Sequence, residues 1–194
     1  MGFRNAILQR RLIRASVFGT IMLSLPLAAV ACGYHDDVAL ARGVLNWVYP
    51  DALHVLGAVS TAVAERRLPA VTLRGGLGIS GYHGTVRALD QYAQQLRMSA
   101  GAMPTFSLLL IEPMLWTRFV SDGDDVRAQV HVSGAQAGDL VVISGEEVIR
   151  AVANNRLAVG EAYRSRLIRL YGTDEQVAAF LVLCEQVGMP RSTQ

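Results

Sequence analysis

Apolar and polar residues alternate along residues 126–132, which is the period of a half-exposed antiparallel strand. Apolar runs at residues 106–111 and 114–120, which Glu112 and Pro113 separate, predict two strands or one strand bent at the proline. The apolar run at residues 140–143 predicts a strand buried on at least one face. Residues 167–171 predict a further short strand, which Gly172 closes. Together these segments predict a sheet of about five strands, most of them antiparallel.

Helical periodicity lies on both sides of these strands. Apolar side chains recur at helical spacing in residues 51–67 and 85–98, and again in residues 177–187 near the C-terminus. Ser144 with Glu147, and Thr173 with Gln176, have the spacing of a capping box, which predicts that a helix begins after each. N-terminal helices, a sheet and C-terminal helices indicate the α+β class.

The order of elements in residues 139–172 resembles the second half of the sterol carrier protein family, a lipid-transfer domain. The shared features are an aspartate before an apolar strand, Ser-Gly with an acidic pair before a helix, a turn, and a second strand closed by glycine. Where that family has glycines in the two turns, this chain has Asn-Arg at 155–156 and Ser-Arg at 165–166. The resemblance covers about residues 106–187, and it implies a sheet and helices that enclose an apolar tunnel for a lipid chain.

Large apolar side chains are abundant in this region, and they are candidates for lining such a tunnel. The candidate ligand-binding residues are Phe106, Leu108, Leu110, Trp116, Phe119, Phe180 and Leu181. An equally open alternative is that these residues only fill the core. A pocket of a few hundred cubic ångströms, roughly, would hold one lipid chain.

The N-terminal residues 1–31 have the pattern of a signal peptide. Four arginines precede an apolar run at 15–31, which ends in the small-residue cleavage pattern Ala-Val-Ala. Cys32 follows at once, and residues 29–32 resemble a bacterial lipobox, which implies lipidation of Cys32. The alternatives are a soluble exported chain, in which Cys32 and Cys184 could form a disulfide, and an uncleaved membrane anchor. We expect the mature chain in the bacterial periplasm, held to the membrane by lipidated Cys32.

The basic charge of the chain comes from this N-terminal segment. Four of the 18 basic residues and none of the 16 acidic residues lie in residues 1–31, so the remainder carries 14 basic and 16 acidic residues, a net charge of −2. No basic stripe with interleaved aromatic residues occurs, which argues against nucleic-acid binding. Composition divides the remainder near residue 101, with a helical part at 32–100 and the sterol-carrier-like part at 101–194, which we expect to form one globular unit.

The sequence contains no strong catalytic motif. The glycine string at residues 74–81 matches a dinucleotide-binding pattern, but no acid follows at the required distance, so we interpret it as a surface loop. His35, His54 and His83 are weak metal-ligand candidates, because their spacing fits no closed metal site. Glu112 lies in an apolar stretch, where burial would raise the pKa of its carboxyl group, but a turn that leaves it in water is the simpler interpretation. We therefore predict no catalytic residues and no cofactor.

The sequence thus favours an exported, lipid-anchored, non-enzymatic protein that binds a hydrophobic small molecule or lipid. The alternative is an envelope accessory or scaffold protein that docks a periplasmic protein partner through residues 33–50 and has no ligand of its own. A periplasmic metal-binding role through the three histidines is a third hypothesis.

Overall fold

The computed structural model describes residues 38–69, 79–99, 103–123 and 125–189. The predicted signal peptide, Cys32 and His35 lie outside these residues. In chain order the elements are α1 (Val38–Val48), α2 (His54–Ala64), α3 (Ile79–Ser99), β1 (Phe106–Leu110), β2 (Leu115–Asp122), β3 (Asp125–Val130), β4 (Leu140–Ser144), α4 (Glu146–Ala153), α5 (Val159–Arg164), β5 (Ile168–Tyr171) and α6 (Asp174–Cys184). This arrangement confirms the predicted α+β class. Within the described ranges, no helix combines the length and apolarity needed to cross a bilayer.

The five strands form one sheet in the order β3-β2-β1-β4-β5. β1 pairs in parallel with β4, and the other three pairings are antiparallel. The prediction of about five mostly antiparallel strands is therefore confirmed. Every residue of the two central strands β1 and β4 is buried, because both faces of the sheet are covered there.

The two faces of the sheet have different coverings. Side chains alternate along a strand, so Phe106, Leu108 and Leu110 share one face, which we call the first face. Helices α3 and α6 cover it through ring contacts to β1 and β2. On the opposite, second face, Tyr49 from the segment after α1 packs against Trp116 and Tyr171, with ring centroids 6.0 and 5.2 Å apart.

The start of α4 differs from the predicted capping box. The N-cap residue is Gly145, which has no side chain that could cap the helix. Ser144 instead donates from its hydroxyl to the carbonyl oxygen of Leu167, 3.1 Å away, and so connects β4 to the residue before β5. The predicted Ser144–Glu147 box is wrong because this long-range hydrogen bond engages the serine hydroxyl.

Glu112 supplies the cap that Ser144 does not. Its carboxylate accepts a hydrogen bond from the backbone N–H of Glu146 at 2.9 Å, at the positive end of the α4 dipole. A Cβ atom at Gly145 would lie 2.7 Å from the same carboxylate, so glycine leaves the room that the cap requires. The Glu112 side chain is half-buried, which is intermediate between the two environments considered from the sequence.

Two other helix starts also test the sequence predictions. The Thr173–Gln176 capping box at α6 is present, with both reciprocal hydrogen bonds, and is confirmed. α3 begins at Ile79 rather than at residue 85, so the prediction of a surface loop is wrong for residues 79–81. Residues 74–78 of the glycine string lie outside the described residues. The hydroxyl of Thr85 lies 3.1 Å from the carbonyl oxygen of Gly81, a contact within the first turns of α3.

Left-handed backbone conformations occur in the turns that follow α4 and α5. Asn155 has a φ of 53° and Arg166 a φ of 59°. Asparagine tolerates this region better than other non-glycine residues, whereas arginine is strained there. Helix α4 ends at Ala153, and Asn155 follows it in this left-handed conformation.

Candidate functional site

Four aromatic rings meet between the first face of the sheet and helices α3 and α6. Phe106 stacks on Phe119 with centroids 4.8 Å apart and planes 10° from parallel. Tyr92 of α3 packs edge-on to Phe119 at 5.4 Å, and Phe180 of α6 packs edge-on to Phe106 at 5.2 Å. We call Tyr92, Phe106, Phe119 and Phe180 the aromatic cluster. All four side chains are buried, and these spacings are typical of favourable ring contacts.

Two buried hydroxyl groups in the same layer have no hydrogen-bond partner among the described residues. They are the phenol oxygen of Tyr92 and the Oγ1 atom of Thr117, which lies on the first face beside Phe119. Burial raises the pKa of Tyr92 well above its ordinary value, and the proximity of Cys184 raises it further. A buried hydroxyl without a partner costs about 1–3 kcal/mol, so native proteins keep few of them.

Cys184 closes the aromatic cluster at the α6 end. Its side chain is buried, and its Sγ atom lies 3.8 Å from the Sδ atom of Met103. Desolvation raises the pKa of the Cys184 thiol to about 12, so it is protonated at neutral pH. It is therefore a small hydrophobic side chain rather than a nucleophile.

The structure brings together most of the predicted ligand-binding residues but not all of them. Leu108 and Leu110 are buried on the first face with Phe106, Phe119 and Phe180. Leu181 follows Phe180 on α6 and is half-buried. Trp116 pairs with Leu109 in the register of β1 and β2, so it lies on the second face. Any site on the first face therefore excludes Trp116, which contacts Tyr49 instead.

A charged cluster on the second face escaped the sequence analysis. Arg118 donates to both carboxylate oxygens of Asp139, at 2.9 and 3.0 Å, and Ser107 donates to the same carboxylate at 2.7 Å. The Asp139 side chain is only 6% exposed. Its hydrogen bonds to Arg118 hold the pKa of the carboxyl group below its usual value, and the bond to Ser107 acts in the same direction, against the effect of burial. The cluster connects β1, β2 and the start of β4.

Replacement of Asp139 by asparagine is expected to lower the free energy of unfolding at neutral pH. It should also make that free energy depend less on pH in the acidic range. A carboxyl group whose pKa is lowered in the folded state contributes stability above its unfolded pKa, about 3.9. That contribution is lost as the pH falls through the lower folded pKa. Urea unfolding at a series of pH values from neutral to strongly acidic would measure both effects. The exposed Asp90→Asn on α3 is the control, and an equal acid dependence in wild type and Asp139→Asn would contradict the prediction.

A second polar network surrounds the start of α4. Glu146 accepts hydrogen bonds from Arg150 and from the buried Thr85 of α3. The neighbouring Glu147 has a raised pKa, chiefly because it is desolvated, and Glu146 raises it further. The hydrogen bond from Thr85 to Glu146 joins α3 to α4, and Arg150 lies beside both acids of α4.

The weak metal-ligand candidates do not converge in the part of the chain that the structure describes. His54 and His83 are exposed on different helices, and His54 lies 3.4 Å from the carboxylate of Asp51. No group of three or more His, Cys, Asp or Glu residues among those described could hold a metal ion.

Comparisons with known proteins assign this chain to no family. No protein-family model matches it, and no curated protein matches it. Among solved structures, the stereoselective inverting sec-alkylsulfatase Pisa1 from Pseudomonas sp. is similar, with 12% identity and a TM-score of 0.34, over 48% of this chain and 14% of that chain. A double mutant of Pisa1 matches with 13% identity and the same TM-score, over 47% of this chain and 14% of that chain. The similar region is thus a small part of those proteins.

Proposed function

We propose that this protein is an exported, membrane-anchored, non-enzymatic carrier that binds one hydrophobic ligand with a polar group, such as a fatty acid or another single-chain lipid. The ligand would lie in the layer between the first face of the sheet and helices α3 and α6. The observation that carries the proposal is the pair of buried hydroxyls at Tyr92 and Thr117, which lack partners among the described residues.

The chemistry of this layer suits such a ligand. Its buried side chains are mostly apolar, and ligand sites typically combine an apolar lining with few polar groups. A polar atom of the ligand would satisfy a hydroxyl that is otherwise unpaired, while the chain of the ligand contacts Phe106 and Phe180. Because the four rings already touch, entry of a ligand requires α3 or α6 to move away from the sheet.

The resemblance to the sterol carrier family gives independent support. The left-handed backbone at Asn155 lies in the turn where that family has glycine, so the turn keeps the conformation that glycine would favour. The four arginines, the apolar run and the Ala-Val-Ala-Cys pattern within residues 1–32 support export and anchoring.

The proposal predicts opposite effects of hydroxyl removal on stability and on binding. Tyr92→Phe and Thr117→Val each remove an unpaired hydroxyl, so the ligand-free protein is expected to gain about 1 kcal/mol of stability. The same changes remove a hydrogen bond to the ligand, so affinity is expected to fall about tenfold for each hydrogen bond of about 1.4 kcal/mol. Saturable uptake of a fluorescent fatty acid and thermal unfolding of the delipidated protein measure the two quantities.

Tyr163→Phe is the matched control, because Tyr163 lies on α5 and is exposed. This variant should change neither stability nor uptake. The proposal fails if purified wild-type protein contains no co-purifying lipid and shows no saturable uptake.

The packed rings favour a second candidate function, a scaffold protein without a ligand. In that case the aromatic cluster is a filled core, and its stability arises from the ring contacts. Tyr92→Phe and Thr117→Val would then raise stability without any lipid binding to be lost.

A further inference from the structure

Helix α1 exposes a stripe of large apolar side chains to solvent. Trp47 is 89% exposed, Val48 65% and Val44 54%, while Leu45 on the same helix is buried. Residues at spacings of three and four share one face of a helix, so Val44, Trp47 and Val48 form a single patch, which we call the α1 stripe. Of the described residues, the other large exposed apolar side chains are separated along the chain, at Met98, Tyr163, Val182 and Met189. Scattered residues of that kind are usual on a protein surface, whereas a contiguous patch indicates a contact.

We infer that the α1 stripe rests on the surface of the membrane to which the N-terminal segment attaches. The inference depends on the anchoring part of the proposed function and not on ligand binding. A lipid surface fits the stripe because tryptophan is enriched at the membrane–water interface, where its apolar ring and its N–H group are both accommodated. Residues 38–48 contain no acidic residue, so the helix carries no charge that anionic lipids would repel.

The position of the α1 stripe in the chain supports a membrane, rather than a protein, as the surface that the stripe contacts. The apolar run at residues 15–31 ends only a few residues before α1 begins, and Cys32 is closer still. Six residues of extended chain span at most about 20 Å, and ten helical residues rise about 15 Å. Trp47 therefore lies within about 35 Å of the proposed attachment point. A short tether raises the effective concentration of the membrane, so a three-residue stripe that would bind weakly alone can remain bound.

The test uses the full chain reconstituted into vesicles of phosphatidylcholine and phosphatidylglycerol. Fluorescence is recorded with ordinary lipids, with lipids brominated near the headgroup end of the acyl chains, and with an aqueous quencher. The chain has two tryptophans, and Trp116 packs half-buried against Tyr49, so the comparison is between wild type and Trp47→Phe. The exposure of Trp47 makes that replacement safe for the fold.

If the stripe rests on the bilayer, brominated lipid quenches part of the wild-type emission, because Trp47 then lies close to the bromine atoms. In Trp47→Phe this quenching should be absent, so the emission intensity in brominated vesicles should equal that in bromine-free vesicles. A second variant, Val44→Ser with Val48→Ser, keeps both tryptophans and should make Trp47 more accessible to the aqueous quencher.

Vesicle flotation separates failure of the anchor from failure of the stripe. A chain that does not float overturns the anchoring proposal and this inference together. If the chain floats but Trp47 is quenched only by the aqueous quencher, the inference alone is overturned. The stripe is then available to bind a protein partner. The inference is also overturned if Trp47 is shielded from the aqueous quencher but is not quenched by brominated lipid. If this shielding depends on the protein-to-lipid ratio, a second copy of the chain covers the stripe. If the shielding does not depend on that ratio, the N-terminal segment of the same chain covers it.

Discussion

Substitution of Gly188 by alanine is expected to destabilise the protein by about 2–5 kcal/mol, the sum of a backbone cost and a steric cost. Gly188 follows α6 and has a φ of 83°, where a side chain is strained. A Cβ atom there would clash with the carbonyl oxygen of Leu157 and would lie 2.8 Å from Cγ1 of Val152. Neither neighbour is the free end of a flexible side chain, so the backbone itself must move.

The position matters because the end of α6 is held against the start of α5. The N–H of Val159 donates to the carbonyl of Val187 at 2.9 Å, and the N–H of Gly160 donates to Glu185 at 3.1 Å. These bonds satisfy helix-start donors that would otherwise lack partners. A shift at Gly188 would therefore loosen α6, the helix that brings Phe180 to the aromatic cluster.

Two other glycines separate the backbone cost from the steric cost in urea unfolding. Gly123 has a φ of 61° and open space around a Cβ, so Gly123→Ala should show the backbone cost alone. Gly57 lies within α2 with open space and no positive φ, so Gly57→Ala should stabilise by about 0.5–1 kcal/mol. If Gly188→Ala lost no more stability than Gly123→Ala, the close approach to Leu157 would be the wrong explanation.

Features that depend on neighbouring residues could be predicted from the sequence, and features that depend on distant residues could not. The Thr173–Gln176 box is confirmed, because both partners lie within one helical turn. The Ser144–Glu147 box has the same spacing and is wrong, because the Ser144 hydroxyl bonds to Leu167 instead. The capping carboxylate comes from Glu112, 34 residues before its partner Glu146. Nothing in the local pattern distinguishes the two boxes.

The candidate site shows the same division. Apolar runs predicted which residues are buried, but not the register of β1 and β2 that puts Trp116 on the second face. The pairing of Arg118 with Asp139 joins residues 21 positions apart across strands, and neither residue type signals its partner. Tyr92 was not singled out, although it follows Leu89 at helical spacing; its unpartnered hydroxyl is visible only once the sheet lies against α3.

Replacement of Phe180 by alanine is expected to cost about 3–5 kcal/mol, the usual effect of removing a fully buried aromatic ring. Phe180 has no exposed surface, and its ring contacts Phe106 at a centroid distance of 5.2 Å. Val182→Ala, two positions along α6 and 79% exposed, should change stability by no more than about 0.5 kcal/mol. Because total stabilities are about 5–15 kcal/mol, Phe180→Leu provides a milder variant if the alanine variant does not fold.

The same variants distinguish a ligand-binding layer from a filled core. A ligand that binds only the folded state raises the melting temperature in proportion to the logarithm of its concentration over its dissociation constant. If a fatty acid occupies the layer, the space left by Phe180→Leu admits its chain without displacing a ring, so the rise in melting temperature should be larger in the variant than in wild type. If the aromatic cluster is only a core, a fatty acid should raise the melting temperature of neither protein, and the scaffold hypothesis is then the better account.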